Sequence, residues 1–143
     1  MERIPEFIGN HLFLFTLFLA LLGLLLWNLF GAVMTGVTLV EPAEATRMIN
    51  REGAVVLDVR PAAEYQQGHV LNAMNIPEAE LPERQKELEK HRDKPVIACC
   101  ESGVASARAV SRLKAGGFEK SFCMRGGLTA WRSAGLPTTR EQA

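Results

Sequence analysis

From Leu12 to Met34 the chain reads LFLFTLFLALLGLLLWNLFGAVM, with only Thr16 and Asn28 as polar interruptions. At about 1.5 Å per residue, roughly 20 apolar residues cross the ~30 Å hydrocarbon core of a bilayer. The run is apolar on every side, which predicts a transmembrane helix over about 12–34 rather than a helix lying in the membrane surface. Trp27 and Phe30 fall near one expected headgroup boundary. The alternative is a cleaved signal peptide. The run exceeds the roughly 7–15 residues of such a core, Arg3 is the sole basic residue before it, and no clear A-x-A site follows. A helix buried in a globular core is disfavoured, because the remaining chain is too small to wrap it.

Beyond residue 36 the pattern changes to short apolar runs alternating with amphipathic stretches. Val37–Val40 is a β-rich run, and Pro42 then opens PAEATRMINRE, with Ala45, Met48 and Ile49 on one side of a helix. Ala54–Val59 is compact and apolar, as a buried parallel strand requires. A helix from Pro61 to about Gln67 is closed by Gly68, and Ala73–Ile76 is a short strand. Leu81–His91 carries Glu and Lys at helical spacing and predicts a solvated surface helix. Val96–Cys99 is another buried strand. A glycine turn leads from it into a helix over Ser106–Ala115, closed by Gly116 and Gly117. Ser121–Met124 is the last strand, followed by Gly126-Gly127 and a short helix containing Trp131. Strands alternating with helices predict an α/β domain with a mainly parallel sheet flanked by helices. Two parts follow: residues 1–36, holding the apolar helix, and residues 37–143, forming one domain.

Charge sharpens this division. The 143 residues carry sixteen basic and sixteen acidic side chains, so no basic field points to nucleic acid. None of these residues occurs between Glu6 and Glu41. Arg47 and Arg51 follow the apolar run while Arg3 stands alone before it, which favours a cytoplasmic C-terminal domain by the positive-inside rule. There are three cysteines, Cys99, Cys100 and Cys123. An odd number with two adjacent does not suit a secreted disulfide framework, and free thiols suit a reducing compartment. With no CxxC pair and no His at ligand spacing to them, no metal site is expected.

Ligands of an open parallel sheet bind beyond the carboxyl ends of its strands. One such end here carries a nucleophile, then a glycine turn and a helix start: Cys100, Glu101, Ser102, Gly103, Val104, Ala105 and Ser106. Such a turn directs successive N–H groups inward, and the helix adds its unpaired first-turn donors and positive dipole end. An anion is stabilised there, and the nearest candidate is the thiolate of Cys100. Helix N-termini lower thiol pKa values by about one to several units, and the same cradle would hold a persulfide. Cys123, inside an apolar strand, reads as core. Alternation turns Cys99 away from Cys100 towards the packed side; a resolving role under oxidation is its alternative.

At these residues the domain resembles the rhodanese family. Leu57–Pro77, LDVRPAAEYQQGHVLNAMNIP, is similar to the family stretch D-V-R-x-x-x-E-(Y/F)-x-x-G-H-I-x-G-A-x-N-I-P. CESGVASARA resembles its active-site loop, with Cys100 in the nucleophile position and Gly103, Ser106 and Arg108 matching. GGLTAWRSAGLP, Gly126–Pro137, resembles its terminal signature. An anchor followed by one such domain looks like a bacterial inner-membrane subtype. The resemblance implies a cofactor-free ping-pong cycle. Cys100 would take sulfane sulfur from a small-molecule or protein donor, hold it as persulfide and pass it to a thiol or cyanide, with the amides of Glu101 to Ala105 ringing the sulfur. Asp58 and Arg60 would hold the fold, and His69 would be structural or at the surface.

One departure bears on substrate. Many family loops carry basic residues, often Arg at the position of Ala105, whereas this loop has none and has acidic Glu101. A dianion such as thiosulfate is therefore disfavoured relative to persulfides, polysulfides or a protein donor. A related phosphatase or arsenate reductase needs Cys-x5-Arg, and the Arg position holds Ser106 counted from Cys100. A membrane-held binding module that kept the fold and lost most activity is the rival reading.

Overall fold

The computed structural model describes residues 3–34 and 36–140. They fall into two units, Met1–Thr35 and Gly36–Ala143. In the first, a short helix α1 (Arg3–Asn10) precedes α2 (Leu12–Met34). Along Leu12–Phe30 every side chain is exposed, including Phe13, Leu24 and Trp27. At about 1.5 Å per residue the 23-residue helix is roughly 34 Å long, enough to cross a membrane. The α1 helix had no counterpart in the periodicity.

The second unit is an α/β sandwich. Five parallel strands lie in the order β1 (Thr38–Val40), β6 (Ser121–Met124), β5 (Val96–Cys99), β2 (Val55–Asp58), β4 (Met74–Asn75). Helix α3 (Pro42–Glu52) starts on its proline and ends where Gly53 turns left-handed and donates its N–H to Met48 O. Helix α4 (Ala62–Gln67) follows β2, α6 (Val104–Ala115) follows β5, and α7 (Gly127–Ser133) follows β6.

Because strand side chains alternate, the sheet sorts its residues into two cores. Leu57, Val96, Ala98, Cys100 and Cys123 face one side, with Ala109, Val110 and Leu113 of α6. Val56, Ile97, Cys99 and Met124 face the other, with Ala45 and Met48 of α3, Tyr65 of α4 and Trp131 of α7. The adjacent Cys99 and Cys100 therefore belong to opposite cores.

One expectation is corrected here. The segment Leu81–His91 is a four-residue α5 (Leu81–Arg84) followed by a 3₁₀ run, Gln85–His91. It packs through Leu81 and Leu88, both fully buried, while Arg84 pairs with Glu80 and Glu87 and Arg92 pairs with Glu89 on its outer side. The charge spacing describes that outer side alone. Beside the parallel sheet lies an antiparallel pair, β3 (His69–Val70) with β7 (Thr138–Thr139). Strands of two residues carry no detectable periodicity. Trp131 secures the returning chain by donating its indole N–H to Pro137 O at 2.9 Å.

Candidate active site

Cys100 follows β5 directly, so the strand fixes its position and alternation aims its side chain into the α6 core. The chain then turns at Gly103, whose φ of 102° lies in the left-handed region that favours glycine, before α6 begins. The turn brings the Gly103 N–H to 2.9 Å from Cys100 Sγ. Ser106 Oγ lies 3.5 Å from the same sulfur and 3.2 Å from Cys123 Sγ. Cys100 is 4% exposed and opens into a cleft of about 680 Å³.

Ser106 and Cys123 form a layer beneath the nucleophile. Ser106 is fully buried and has one hydroxyl proton, for which Gly103 O at 3.0 Å and the two sulfurs compete. Burial pushes the Cys123 thiol up, opposed by its contact with Ser106 and reinforced by the nearby charge of Cys100. Cys123 thus keeps its proton and lies 3.6 Å from Gly103 O, where it can donate. That leaves the Ser106 proton available to a charged Cys100 sulfur. Strand register puts Cys123 there: it pairs with Ala98, two residues before Cys100 and on the same face.

Behind the loop, α7 holds it by two N–H groups and one hydroxyl. Leu128 N–H donates to Cys100 O at 2.7 Å, and Thr129 donates both N–H and Oγ1–H to Glu101 O, at 3.2 and 3.0 Å. Gly127 permits this approach, since a Cβ there would stand 2.3 Å from Cys100 O.

A second brace comes from β2. Arg60, 4% exposed, clasps the fully buried Asp58 through Nε and Nη2, donates Nη2–H to Gly68 O at 2.7 Å and reaches Glu101 Oε2 at 3.3 Å. Burial opposes the Arg60 charge, but the hydrogen bonds and charge of Asp58 outweigh it and raise its pKa. Burial first, then the charge of Asp58, pushes the Cys99 thiol far up, so it stays neutral within the second core.

Of the predicted binding residues, Glu101, Ser102, Val104 and Ala105 line the cleft with Cys100. Gly103 contributes its N–H, and Ser106 sits behind the sulfur. The Glu101 carboxylate does not act as an uncompensated charge. It is held by Arg60, by Arg132 Nη1 at 3.0 Å and by Thr129 Oγ1 at 3.3 Å. His69 is fully buried, stacked on Tyr65 with ring centroids 3.6 Å apart, and bonded through Nδ1 to Tyr65 O. A surface position is excluded for it, and it is not among the cleft residues. Glu64, Pro77, Glu78, Glu80 and Arg108 also line the cleft; of these, Arg108 alone lies in the stretch that resembles the active-site loop.

A family model for the rhodanese-like domain matches residues 41–134. The chain belongs to the rhodanese family. Its rhodanese domain, with the preceding helix, is 35% identical over 141 residues to the uncharacterized protein YibN of Escherichia coli K12, covering 98% of this chain and 99% of that one. The thiosulfate sulfurtransferase GlpE of Pseudoalteromonas translucida is 34% identical over 92 residues, 64% of this chain and 86% of that protein. Among solved structures, a rhodanese-related protein from Thermoplasma volcanium superposes with a TM-score of 0.66 at 35% identity, over 73% of this chain and 99% of that one.

Proposed function

We propose that this chain is a membrane-anchored sulfurtransferase that carries sulfane sulfur as a persulfide on Cys100. The observation that carries the reading is the cradle itself. A nucleophilic sulfur at a strand end receives the Gly103 N–H at 2.9 Å, has a hydroxyl beneath it, and faces a cleft wide enough for a small thiol or an exposed cysteine. Named sulfurtransferases among the relatives support it.

In the first half-reaction the Cys100 thiolate attacks the outer sulfur of a donor R–S–SH. The donor S–S bond breaks with its electron pair onto R–S⁻, leaving Cys100–S–SH. In the second, an acceptor thiolate attacks that outer sulfur, and the pair returns to Cys100 Sγ. One neutral sulfur atom moves and no external oxidant or reductant is used. The N–H and hydroxyl donors stabilise sulfur anions at either stage.

The donor we favour is a persulfide, polysulfide or protein-borne sulfur rather than thiosulfate, because both guanidiniums that line the cleft are already paired, Arg60 with Asp58 and Glu101 and Arg108 with Glu78, and so offer a dianion no free cation. Helix α2 would serve as a single-pass bilayer anchor, with the rhodanese domain on the cytoplasmic side. Mass spectrometry of the full chain in detergent after polysulfide treatment tests the chemistry. A gain of one sulfur that is absent in Cys100→Ser supports transfer, and an unmodified Cys100 overturns it in favour of a binding module. Protease cleavage of the domain in inside-out vesicles tests the topology; protection there would reverse it.

A further inference from the structure

Arg108 projects from α6 into the cleft wall, and its side chain remains 59% exposed. It is nevertheless occupied: Nε donates to Glu78 Oε1 at 2.7 Å and Nη2 to Glu78 Oε2 at 3.1 Å. This fork-to-carboxylate geometry satisfies both groups at once. Glu78 is itself fixed, because its N–H bonds Val59 O and its carbonyl accepts from Arg112 Nη1. The other cleft guanidinium, Arg60, is buried against Asp58. Arg108 and Cys100 line the same cleft, and a thiolate there would favour the charged form of Arg108, after the larger contribution of Glu78. An unclasped Arg108 would therefore act on anything approaching the sulfur.

We propose that Glu78 is the residue that sets the charge preference of this cleft: by clasping Arg108 it cancels a cation beside Cys100, so the cleft gives anionic sulfur partners none of the attraction that an unpaired guanidinium would supply. Glu78 acts through Arg108 and touches no reacting atom, which makes it a positioning residue for specificity. The inference rests on the sulfurtransferase reading for its meaning, but not for its measurement.

Iodoacetate and iodoacetamide alkylate the same thiolate and differ in charge, so the ratio of their rates at Cys100 cancels the thiolate fraction and reads the local field. The ratio is measured on the full chain in a nonionic detergent, at low salt, with the Cys100 adduct quantified by peptide mass spectrometry. Glu78→Gln releases an unpaired guanidinium and should raise the iodoacetate to iodoacetamide ratio about two- to fivefold, the scale of one added charge across a solvated cleft. Arg108→Gln leaves Glu78 uncompensated and should lower the ratio. The double variant removes a neutral pair and should return the ratio to the wild-type value. Glu78→Asp, which keeps the charge, should also stay near wild type, and all differences should shrink at high salt. A Glu78→Gln ratio equal to wild type, or a rise that persists in the double variant, overturns the proposal. Either single variant alone suffices, since the two shifts have opposite signs. Sulfur loading tests the proposed function and alkylation tests the charge preference, so each can fail without the other.

Discussion

The close approach at Gly127 gives the sharpest energetic prediction. Gly127 has φ 58°, and an added Cβ would stand 2.3 Å from Cys100 O and 2.8 Å from the Glu101 carbonyl carbon and oxygen. Those neighbours are backbone, so they cannot rotate away. In Gly127→Ala the left-handed conformation costs about 1–2 kcal/mol. Displacing the loop adds about 1–3 kcal/mol, as overpacking does elsewhere. Weakening the Leu128–Cys100 and Thr129–Glu101 bonds adds about 0.5–1.5 kcal/mol each. The total, roughly 3–8 kcal/mol, is comparable with the whole stability of a small domain, ~5–15 kcal/mol. Gly53→Ala is the internal control, because Gly53 has φ 67° and nothing within 4 Å of its hypothetical Cβ. It isolates the conformational cost. Urea unfolding of both variants in detergent micelles, followed by circular dichroism, should place Gly127→Ala at least about 2 kcal/mol below Gly53→Ala, with Cys100 alkylation also slowed. Equal destabilisation of the two variants would refute the argument that α7 holds the loop by contact.

Ser106→Ala removes the hydroxyl beneath Cys100 and should slow iodoacetamide alkylation about fivefold, the value of one hydrogen bond near 1 kcal/mol; a rate within twofold of wild type would rule out a role for this hydroxyl in stabilising the sulfur anion. The Arg108–Glu78 pair predicts a pH dependence. The hydrogen bond from Arg108 holds the Glu78 carboxyl below its ordinary range, against some burial and helped by the charges of Arg108 and Arg112. Its stabilisation is present above the ordinary carboxylate pKa and lost as pH falls through the lowered folded value. The Tm difference between wild type and Arg108→Gln should thus be largest near neutral pH and vanish in acid, and a gap constant down to pH 3 would contradict it.

The parts of this protein legible in sequence are those whose cause is local. The apolar run maps onto α2 residue for residue, and Val96–Cys99 and Ser121–Met124 coincide with β5 and β6, because a strand buried on both faces must be continuously apolar. Cys100 stood out for the same reason: a strand end, a glycine turn and a helix start are adjacent in the chain. What could not be read there depends on pairings between distant segments. The β3–β7 pair joins His69 to Thr139, and the hold on the loop joins Cys100 to Leu128. The charge of the cleft was the most misleading quantity. Glu101 was visible next to Cys100, but its partners Arg60 and Arg132 lie 41 and 31 residues away, and the Glu78–Arg108 pair spans 30. The bearing of Glu101 on substrate charge was therefore overstated, while that of Glu78 was missed.

Main-chain atoms set much of the loop around Cys100, with the N–H of Gly103 on the sulfur and the N–H groups of Leu128 and Thr129 on the carbonyls of Cys100 and Glu101. The side chains that brace it, Ser106, Thr129, Arg60 and Arg132, lie outside positions 102 and 104. The exposed side chains at 102 and 104 line the cleft, whereas Ala105 packs against the core that holds Cys100. A scaffold of this kind separates two properties that are usually entangled. The identity of the residues at 102 and 104 can drift, and with it the range of molecules admitted, while the sulfur stays in place. Divergence of substrate within such a lineage needs only surface exchanges around an unaltered turn, provided the glycines at 103 and 127 remain.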